Sequence, residues 1–230
     1  MRWRHYKLAR ERMVREQLYE RDIRDERVLE AMMRIPRHVF LDHDAGSEAY
    51  SDHSFPIGFA QTMSQPYMVG YLSEQLRLRG DERVLEIGTG SGYHTAVLAT
   101  LAAEVYTVER VPELATRAAE VLRDLIYTNI HVRTGDGAVG WPEAAPFDRV
   151  ILTAAARSVP KSLLAQLREG GVFLGPVEKQ DGSQELVRLT RHGNSFSVER
   201  LVACSFVPMI RTADAEVSAG EPSRSEPHGR

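Results

Sequence analysis

Short β-rich segments alternate with helix-length segments from residue 83 onward, and this alternation constrains the fold more than any other feature of the chain. The predicted strands are RVLEIG (83–88), EVYTVE (104–109), NIHVR (129–133) and DRVILT (148–153). The predicted helices between and after them cover residues 94–102, 112–125 and 161–167. Because strands that alternate with helices of this length form parallel βαβ units, the sequence predicts an α/β fold with a doubly wound, Rossmann-like sheet.

The segments on either side of this alternation have different patterns. After Gly170 and Gly171, strand-like runs follow one another without an intervening helix, and we expect them to form an antiparallel C-terminal edge: GVFLGPV, QELVRLT and VACSFVPM. Before the sheet, apolar residues at helical spacing predict a first helix: Leu8, Met13, Val14 and Leu18. Asp25 is expected to cap a second helix, which Pro36 ends.

The domain organisation predicted from these patterns is a single domain over residues 1–211. Within it, residues 1–80 form an N-terminal helical and loop cap, and residues 81–211 form the sheet core. Residues 212–230 carry almost no large apolar side chain, so we predict a disordered polar tail there.

Composition limits the partners and the compartment. The net charge of −3 gives no electrostatic case for nucleic acid or an acidic membrane surface, and no apolar run approaches the length of roughly 20 residues that a membrane span needs. The basic N-terminus has no apolar segment behind it, which argues against a secretory signal. Cys204 is the only cysteine, so no intrachain disulfide or multi-cysteine zinc site can form, and we expect a cytoplasmic monomer without a metal site. Cys204 itself is expected to be a buried core thiol.

A glycine-rich turn joins the first predicted strand of the sheet to its helix. In VLEIGTGSGYHTAVLA, Gly88, Gly90 and Gly92 let the backbone turn tightly and approach a ligand, while the amides of the helix N-terminus face what is bound. Roughly twenty residues later, Glu109 ends the next strand, where its carboxylate could accept both hydroxyls of a ribose. This pairing predicts a nucleoside ligand.

The spacing favours S-adenosyl-L-methionine over a dinucleotide. Tyr93 follows a G-x-G-x-G motif, whereas the pyrophosphate fingerprint has its third glycine one place later. Glu86 would repel a pyrophosphate but would suit an ammonium or a sulfonium group. Asp136, in TGDG, could accept from the adenine amino group. The alternatives are that Asp136 only forms a turn and that Glu86 is only a solvated strand end.

With these residues in view, the chain resembles the protein-L-isoaspartate O-methyltransferase family over roughly residues 8–209. The resemblance is carried by RMVREQL, RVLEAMMRIPRHVF, PIGFAQTMSQPYMV, VLEIGTGSGYHTAVLA, VYTVER, TGDGAVGW, APFDRVILTAAARSVP, LREGGVFLGPV and FVPM. It implies an α/β enzyme that uses S-adenosyl-L-methionine to methylate the free carboxylate of isoaspartyl residues in damaged proteins and peptides. One departure is PVEKQDGSQEL, where Glu178 replaces a glycine that is usual in the family.

The resemblance also implies roles for particular residues. The family's active-site serine falls on Ser64, and its cofactor acids correspond to Glu86, Glu109 and Asp136. The cofactor set implied in full is Thr62, Glu86, Gly88, Gly90, Gly92, Glu109, Asp136 and Gly137. The residues before Ser64 are expected to form one wall of the substrate cleft: Ile57, Gly58, Phe59 and Ala60. Ala154 to Ala156 and the strand near Val207 are expected to form the other wall.

The chemistry of this reaction agrees with the absence of a nucleophile and base pair from the sequence. An α-carboxylate, with a reference pKa of about 3.3 to 3.7, is already ionised at neutral pH and needs no general base. A hydroxyl such as that of Ser64 can donate a hydrogen bond to it, with Gln61 and Thr62 shaping the loop. Two alternatives stay open: a methyltransferase of the same fold that acts on another carboxylate or a small molecule, and a non-catalytic protein that binds the cofactor.

Overall fold

The computed structural model describes residues 2–41 and 45–210, which form nine strands. In chain order these are β1 (Phe55–Gly58), β2 (Gln61–Met63), β3 (Arg83–Ile87), β4 (Glu104–Glu109), β5 (Ile130–Thr134), β6 (Phe147–Leu152), β7 (Leu167–Glu178), β8 (Gln184–His192) and β9 (Ser195–Cys204). The first two form an antiparallel hairpin, and the other seven form one sheet. The predicted strands before residue 154 agree with β3 to β6 within one residue at each end.

Six α-helices accompany the strands within the described residues. They are α1 (Arg2–Arg12), α2 (Glu26–Arg34), α3 (Pro66–Gln75), α4 (Tyr93–Leu101), α5 (Pro112–Asp124) and α6 (Lys161–Ala165). A π-helical segment (Met13–Tyr19) continues α1, and short 3₁₀ helices occur at Arg37–Phe40, Gly46–Tyr50 and Pro142–Ala144. In the part of the chain that is described, no helix is both long and apolar enough to cross a membrane.

The N-terminal helices follow the sequence prediction with one exception. Asp25 caps α2 by accepting hydrogen bonds from the amides of Arg27 at 2.9 Å and Val28 at 3.4 Å, which are otherwise unpaired at a helix start. Leu8 was expected on the apolar face of the first helix, but 58% of its surface is exposed. Met13 and Leu18 are fully buried, so the apolar face belongs to the π-helical segment instead.

The sheet order places a crevice at the carboxyl ends of two strands. The order is β5-β4-β3-β6-β7-β8-β9, and all pairs from β5 to β7 are parallel. Because the chain proceeds from β3 outward through β4 and β5 and then returns to β6 on the other side, the order reverses between β3 and β6. In open α/β sheets, ligands bind at such a reversal.

The C-terminal edge is antiparallel, as predicted: β7 pairs antiparallel with β8, and β8 pairs antiparallel with β9. On its other side, β7 pairs parallel with β6. The reason is that α6 works as a short crossover and β7 begins at Leu167, so that Gly170 and Gly171 lie inside the strand, in a register irregularity. The last predicted strand, around VACSFVPM, is also shifted, since β9 ends at Cys204 and Pro208 forms an isolated bridge with Ala155.

One hydrophobic core joins the N-terminal helices to the sheet. Its buried members include Met32 of α2, Leu72 of α3, Val97 of α4 and Ile151 of β6. The division into a cap (1–80) and a sheet core (81–211) stays a prediction, and the tail predicted at residues 212–230 lies outside the described residues.

Candidate active site

A cleft of about 650 Å³ opens to solvent at the carboxyl ends of β3, β4 and β6. It is lined by Gln61, Thr62, Ile87, Gly88, Gly90, Val108, Glu109, Arg110, Val111, Gly137, Thr153, Ala154 and residues 207–210. The cleft lies where the strand order reverses, which is where ligands bind in open α/β sheets. Apolar side chains form most of its walls, and Glu109 provides a carboxylate at its edge.

Gly88 follows β3 directly and allows a close approach of backbone to side chain. Its φ is +100°, and a Cβ placed on it would lie 2.4 Å from Oγ1 of Thr153. That hydroxyl lies 2.9 Å from the carbonyl oxygens of both Ile87 and Gly88, to which it can donate. Any residue other than glycine would therefore have to displace Thr153, which itself lines the cleft.

The three glycines of the motif have separate functions. Gly88 and Gly90 line the cleft, whereas Gly92 does not. Gly92 has a φ of +87°, and a Cβ on it would lie 3.2 Å from Cβ of Ala118 in α5. Gly92 lets α4 begin close against α5, and its expected part in cofactor binding stays a prediction.

Glu109 ends β4, and its side chain is buried at the edge of the cleft. Its Oε2 accepts from the amide of Gly90 at 2.8 Å, and its Oε1 accepts from the amide of Val111 at 2.9 Å. Each oxygen of a carboxylate has two lone pairs, so each retains an acceptor position after these bonds. Glu109 is thus fixed by the glycine loop and is placed to accept from two hydroxyls of a ligand.

Glu86 lies behind the glycine loop instead of in the cleft. Its side chain is fully buried, and Oε2 accepts from the hydroxyls of Thr95 at 2.5 Å and Thr107 at 2.8 Å. Thr107 is in turn 2.7 Å from Oγ1 of Thr89, within the loop. The Glu86 side chain therefore faces these threonines and not the cleft, and burial raises the pKa of Glu86 to about 7. Through Thr107 and Thr89, Glu86 stabilises the glycine loop on the side that faces away from the cleft.

Asp136 follows β5 and stabilises the turn beside the cleft. Its Oδ1 accepts from the amide of Ala138 at 2.9 Å, and its Oδ2 is 4.0 Å from Nη1 of Arg110. The residues next to it do line the cleft, since both Gly137 and Arg110 contribute to the wall. A Cβ on Gly137 would lie 2.4 Å from Cγ2 of Ile87, so the backbone there is held close to β3.

The β1–β2 hairpin covers one side of the cleft with a strained turn. Phe59 and Ala60 both have positive φ, 55° and 56°, which is uncommon for residues other than glycine. Gly58, Phe59 and Ala60 are exposed at the tip, as a substrate wall requires, and Phe59 keeps 55% of its surface in solvent. Ile57 differs from this expectation: it is buried, and its Cδ1 lies 3.5 Å from where a Cβ on Gly90 would be.

A second cavity, of about 850 Å³, adjoins the cleft. It is lined by Ser54, Thr62, Ser64, Gln65, Met68, Thr153, Ala203, Cys204, Ser205, Phe206 and Val207. Thr62, Thr153 and Val207 line both spaces. Ser64 is half-buried on this wall, and no described residue forms a hydrogen bond with its hydroxyl.

Two side chains at this site were not singled out from the sequence. Thr153 was seen only as the end of a predicted strand, although it lines both cavities. Gln184 holds the far wall, because its Nε2 donates to the carbonyl of Phe206 at 3.1 Å and its Oε1 accepts from the amide of Phe206 at 2.7 Å. Gln184 lies within the unusual PVEKQDGSQEL segment, and none of residues 178–184 is among the described residues that line either cavity.

These features fit S-adenosyl-L-methionine. Ile87, Val108 and Val111 offer an apolar surface for a base, Glu109 offers an acceptor for ribose hydroxyls, and Gly88 brings backbone close to the ligand. The fold and the cleft together define an α/β methyltransferase that uses this cofactor.

Comparison with known proteins identifies the family. The sequence model of the protein-L-isoaspartate(D-aspartate) O-methyltransferase family matches residues 8–214. The chain is 49% identical over 204 residues to protein-L-isoaspartate O-methyltransferase 2 of Geotalea uraniireducens, covering 88% of this chain and 94% of that protein. It is also 49% identical over 202 residues to the protein-L-isoaspartate O-methyltransferase of Opitutus terrae, covering 88% and 87%. The chain belongs to the protein-L-isoaspartate O-methyltransferase family.

Solved structures agree with this assignment. A protein-L-isoaspartate O-methyltransferase superposes with a TM-score of 0.77 and 26% identity, covering 90% of this chain and 65% of that one. A Plasmodium falciparum protein, crystallised with S-adenosyl-L-homocysteine, superposes with a TM-score of 0.76 and 24% identity over 89% of this chain and 98% of its own, which shows a shared fold.

Proposed function

We propose that this chain transfers a methyl group from S-adenosyl-L-methionine to the free α-carboxylate of L-isoaspartyl residues in damaged proteins and peptides, with Ser64 as the catalytic hydroxyl. Family membership over residues 8–214 supports the reaction. The observation that carries the assignment of the site is the pair of adjoining cavities with three shared wall residues, Thr62, Thr153 and Val207.

Each cavity suits one of the two reactants. When bound, S-adenosyl-L-methionine supplies an electrophilic sulfonium methyl group. Glu109, Gly88 and Gly90 would hold it in the first cleft, and Thr62 would contact it at the boundary. The second cavity, with Ser64 in its wall, would receive the isoaspartyl carboxylate.

The acceptor needs positioning more than activation. An α-carboxylate has a reference pKa of about 3.3 to 3.7, so it is an anion at neutral pH and can attack without a general base. The protein therefore contributes orientation and partial removal of water from the attacking oxygen. The Ser64 hydroxyl suits this task, since it has no other partner among the described residues and can donate one hydrogen bond to a carboxylate oxygen.

The hairpin tip supports a peptide acceptor of varied sequence. Gly58, Phe59 and Ala60 are exposed beside the cleft, and the positive φ of Phe59 and Ala60 points to a turn that is held for a purpose other than stability. Ala154 and Val207 contribute to the opposite wall. A cleft between these walls would contact the main chain of a peptide and leave its flanking side chains in solvent.

One experiment tests the reaction against both alternatives. The protein is incubated with methyl-labelled S-adenosyl-L-methionine and matched aspartyl and isoaspartyl peptides, and the products are treated with mild alkali. Label on the isoaspartyl peptide alone, released as methanol, supports the proposal. Label on a different acceptor, or label stable to alkali, contradicts it in favour of another methyltransferase, and no transfer at all contradicts it in favour of a binding protein.

The role of Ser64 is tested by Ser64→Ala. Because a hydrogen bond to a charged group contributes about 1.5 to 3 kcal/mol, the variant should transfer methyl roughly ten- to a hundredfold more slowly. The affinity for S-adenosyl-L-methionine should be unchanged, since Ser64 lines only the second cavity. Ser51→Ala, at a half-buried serine outside both cavities, is the matched control.

We also propose that the protein acts as a cytoplasmic monomer without nucleic-acid partners. A single cysteine suits a reducing compartment, and the net charge of −3 gives no general attraction to nucleic acid. Light scattering at assay concentrations, cell fractionation and a nucleic-acid gel shift test these three points.

A further inference from the structure

Arg37 is a fully buried arginine that lies between the Ser64 loop and the glycine loop. It begins the short 3₁₀ helix Arg37–Phe40, directly after Pro36, and none of its surface is exposed. Charged side chains are almost never buried completely unless they are paired. Among the described residues, no carboxylate lies within ion-pair distance of Arg37, so other groups must stabilise its charge.

The guanidinium of Arg37 binds two backbone carbonyls and an aromatic ring. Its Nε donates to the carbonyl of Ala49 at 2.8 Å, and its Nη2 donates to the carbonyl of Ser64 at 2.6 Å. Its central carbon lies 4.7 Å from the ring centroid of Tyr93, within the range of a cation–π interaction. Arg37 thus holds Ser64, the residue with the proposed catalytic hydroxyl, through the backbone carbonyl of Ser64.

Tyr93 connects this contact to the cofactor side of the site. It is the first residue of α4 and follows Gly92, at the end of the loop whose Gly88 and Gly90 line the cleft. The Tyr93 ring is buried and also packs edge-on against Phe40 at 5.5 Å, so it offers a fixed surface. One planar group therefore contacts both the acceptor loop and the start of the helix behind the cofactor loop.

Burying the charge of Arg37 contributes little net stability to the fold. Taking a cation out of water is costly, and apolar side chains often replace buried ions without loss of stability. Burial lowers the pKa of Arg37 to about 10, which leaves it charged at neutral pH. A function in catalysis therefore explains a buried cation that binds Ser64 better than a contribution to stability does.

We propose that Arg37 is a positioning residue for methyl transfer: it fixes the Ser64 loop against the start of α4 and so sets where the Ser64 hydroxyl lies relative to the cofactor cleft. This inference rests on the proposed role of Ser64. Lysine cannot replace Arg37, because a single ammonium cannot reach both carbonyls in a fixed plane and also stack on Tyr93.

The test is a double-mutant cycle of Arg37→Lys and Ser64→Ala. Arg37→Lys alone should lower kcat for an isoaspartyl peptide by about tenfold or more, while the Kd for S-adenosyl-L-methionine changes by less than about threefold. In the Ser64→Ala background, Arg37→Lys should change kcat by less than about twofold, because the hydroxyl that it positions is absent. Arg37→Gln, which keeps one donor nitrogen on a shorter side chain, is the second variant if the lysine variant does not fold.

Arg149→Lys is the matched control, since Arg149 is also largely buried and donates to the carbonyl of Leu76 at 2.7 Å, away from both cavities. It should lower stability and leave kcat within about twofold in both backgrounds. If Arg37→Lys slows the Ser64→Ala enzyme as much as it slows the wild type, or leaves wild-type kcat unchanged, Arg37 is structural only and the inference is overturned. If Ser64→Ala alone has no effect, the assignment of Ser64 fails, and the role of Arg37 fails with it.

Discussion

Nδ1 of His94 lies 3.8 Å from Oε1 of Glu86, inside the protein and beneath the glycine loop. Ser73 fixes the other side of the imidazole: its hydroxyl donates to the carbonyl of Val69 at 2.8 Å and therefore accepts from Nε2 of His94 at 3.2 Å. Nδ1 is then the unprotonated nitrogen, and it faces Oε1, which has no hydrogen-bond partner among the described residues. Burial raises the pKa of Glu86 to about 7 and lowers the pKa of His94 to about 3.

These two shifts have opposite effects on stability. Above pH 4.5 the unfolded chain has released the Glu86 proton that the folded protein still holds, so Glu86 makes stability fall as pH rises toward 7. Below pH 6.5 the unfolded chain holds a proton on His94 that the folded protein lacks, so His94 makes stability rise as pH increases from 3 toward 6.5. Between pH 4.5 and 6.5 each state holds one proton on the pair, and the two effects cancel.

Single substitutions should expose each effect. Relative to the wild type, the free energy of unfolding of Glu86→Gln should rise by about 2 kcal/mol from pH 4.5 to 6.5, and that of His94→Gln should fall by about 2 kcal/mol. Urea titrations at several pH values measure both, and His53→Gln, at an exposed histidine, is the control. Parallel pH profiles for all four proteins would show that the pair does not share one proton.

Glu109→Gln should weaken cofactor binding more than it weakens the fold. The amide group of glutamine would direct N–H toward either the amide of Gly90 or that of Val111, and it would offer one acceptor fewer to the ribose. We expect the Kd for S-adenosyl-L-methionine to rise by about ten- to a hundredfold, given about 1.5 to 3 kcal/mol for a hydrogen bond to a charged group. Calorimetric titration of each variant with S-adenosyl-L-methionine measures this Kd.

Glu113→Gln is the matched control for this prediction, since Glu113 is exposed in the first turn of α5 and does not line the cleft. An equal loss of affinity in both variants would point to a general effect of charge. Unchanged affinity in Glu109→Gln would remove Glu109 from the cofactor site.

Gly88→Ala should damage the cleft through a clash as well as through strain. A Cβ at Gly88 would lie 2.4 Å from Oγ1 of Thr153, whereas Gly182, at a φ of +80°, has nothing within 4 Å of its Cβ position. Gly182→Ala therefore reports backbone strain alone, of roughly 1 to 2 kcal/mol. Gly88→Ala should cost more in thermal stability and should lose at least about tenfold in cofactor affinity, because the cleft wall must shift.

Thr153→Ala added to Gly88→Ala removes the atom that clashes. The double variant should recover part of the thermal stability that Gly88→Ala loses. If Gly88→Ala and Gly182→Ala lose the same stability, then the close contact with Thr153 has no energetic consequence.

The parts of the fold that were predictable are those that depend on residues close together in the sequence. Asp25 caps a helix by itself, through bonds to amides two and three residues away, so its role is visible in the sequence. β3 and β4 are buried on both faces, so their apolar residues do not follow the strict alternation of a half-exposed strand. The position of Glu109 was predictable because the next strand ends roughly twenty residues after the glycine motif, which is the length of one βα unit.

The sequence does not show which face of a strand or helix Glu86, Gly92 and Arg37 each occupy. Glu86 and Glu109 both belong to strands that lead to the cleft, but only the packing of Thr95 and Thr107 shows that Glu86 faces away from it. Gly92 needs its positive φ for contact with Ala118, a residue of another helix, which spacing within the motif cannot reveal. Arg37 was not singled out from the sequence, because the residue whose carbonyl it binds, Ser64, lies 27 positions away.

Cys204 should report directly on occupancy of the second cavity. It was expected to be a buried core thiol, but it is half-buried and lines that cavity together with Ser64. Burial raises the pKa of the Cys204 thiol to about 11, so little thiolate exists at pH 8. Alkylation by iodoacetamide should therefore be roughly a hundredfold slower than that of a free cysteine, whose pKa is about 8.5 to 9.

Binding of an acceptor should slow this reaction further. Cys204 is the only cysteine of the 230 residues, so mass spectrometry of the intact protein measures its modification alone. With S-adenosyl-L-homocysteine present, an isoaspartyl peptide should protect Cys204 several-fold, whereas the matched aspartyl peptide should not, because it lacks the free α-carboxylate at that residue. Equal protection by both peptides, or by neither, would contradict the placement of the acceptor in the cavity between Ser64 and β9.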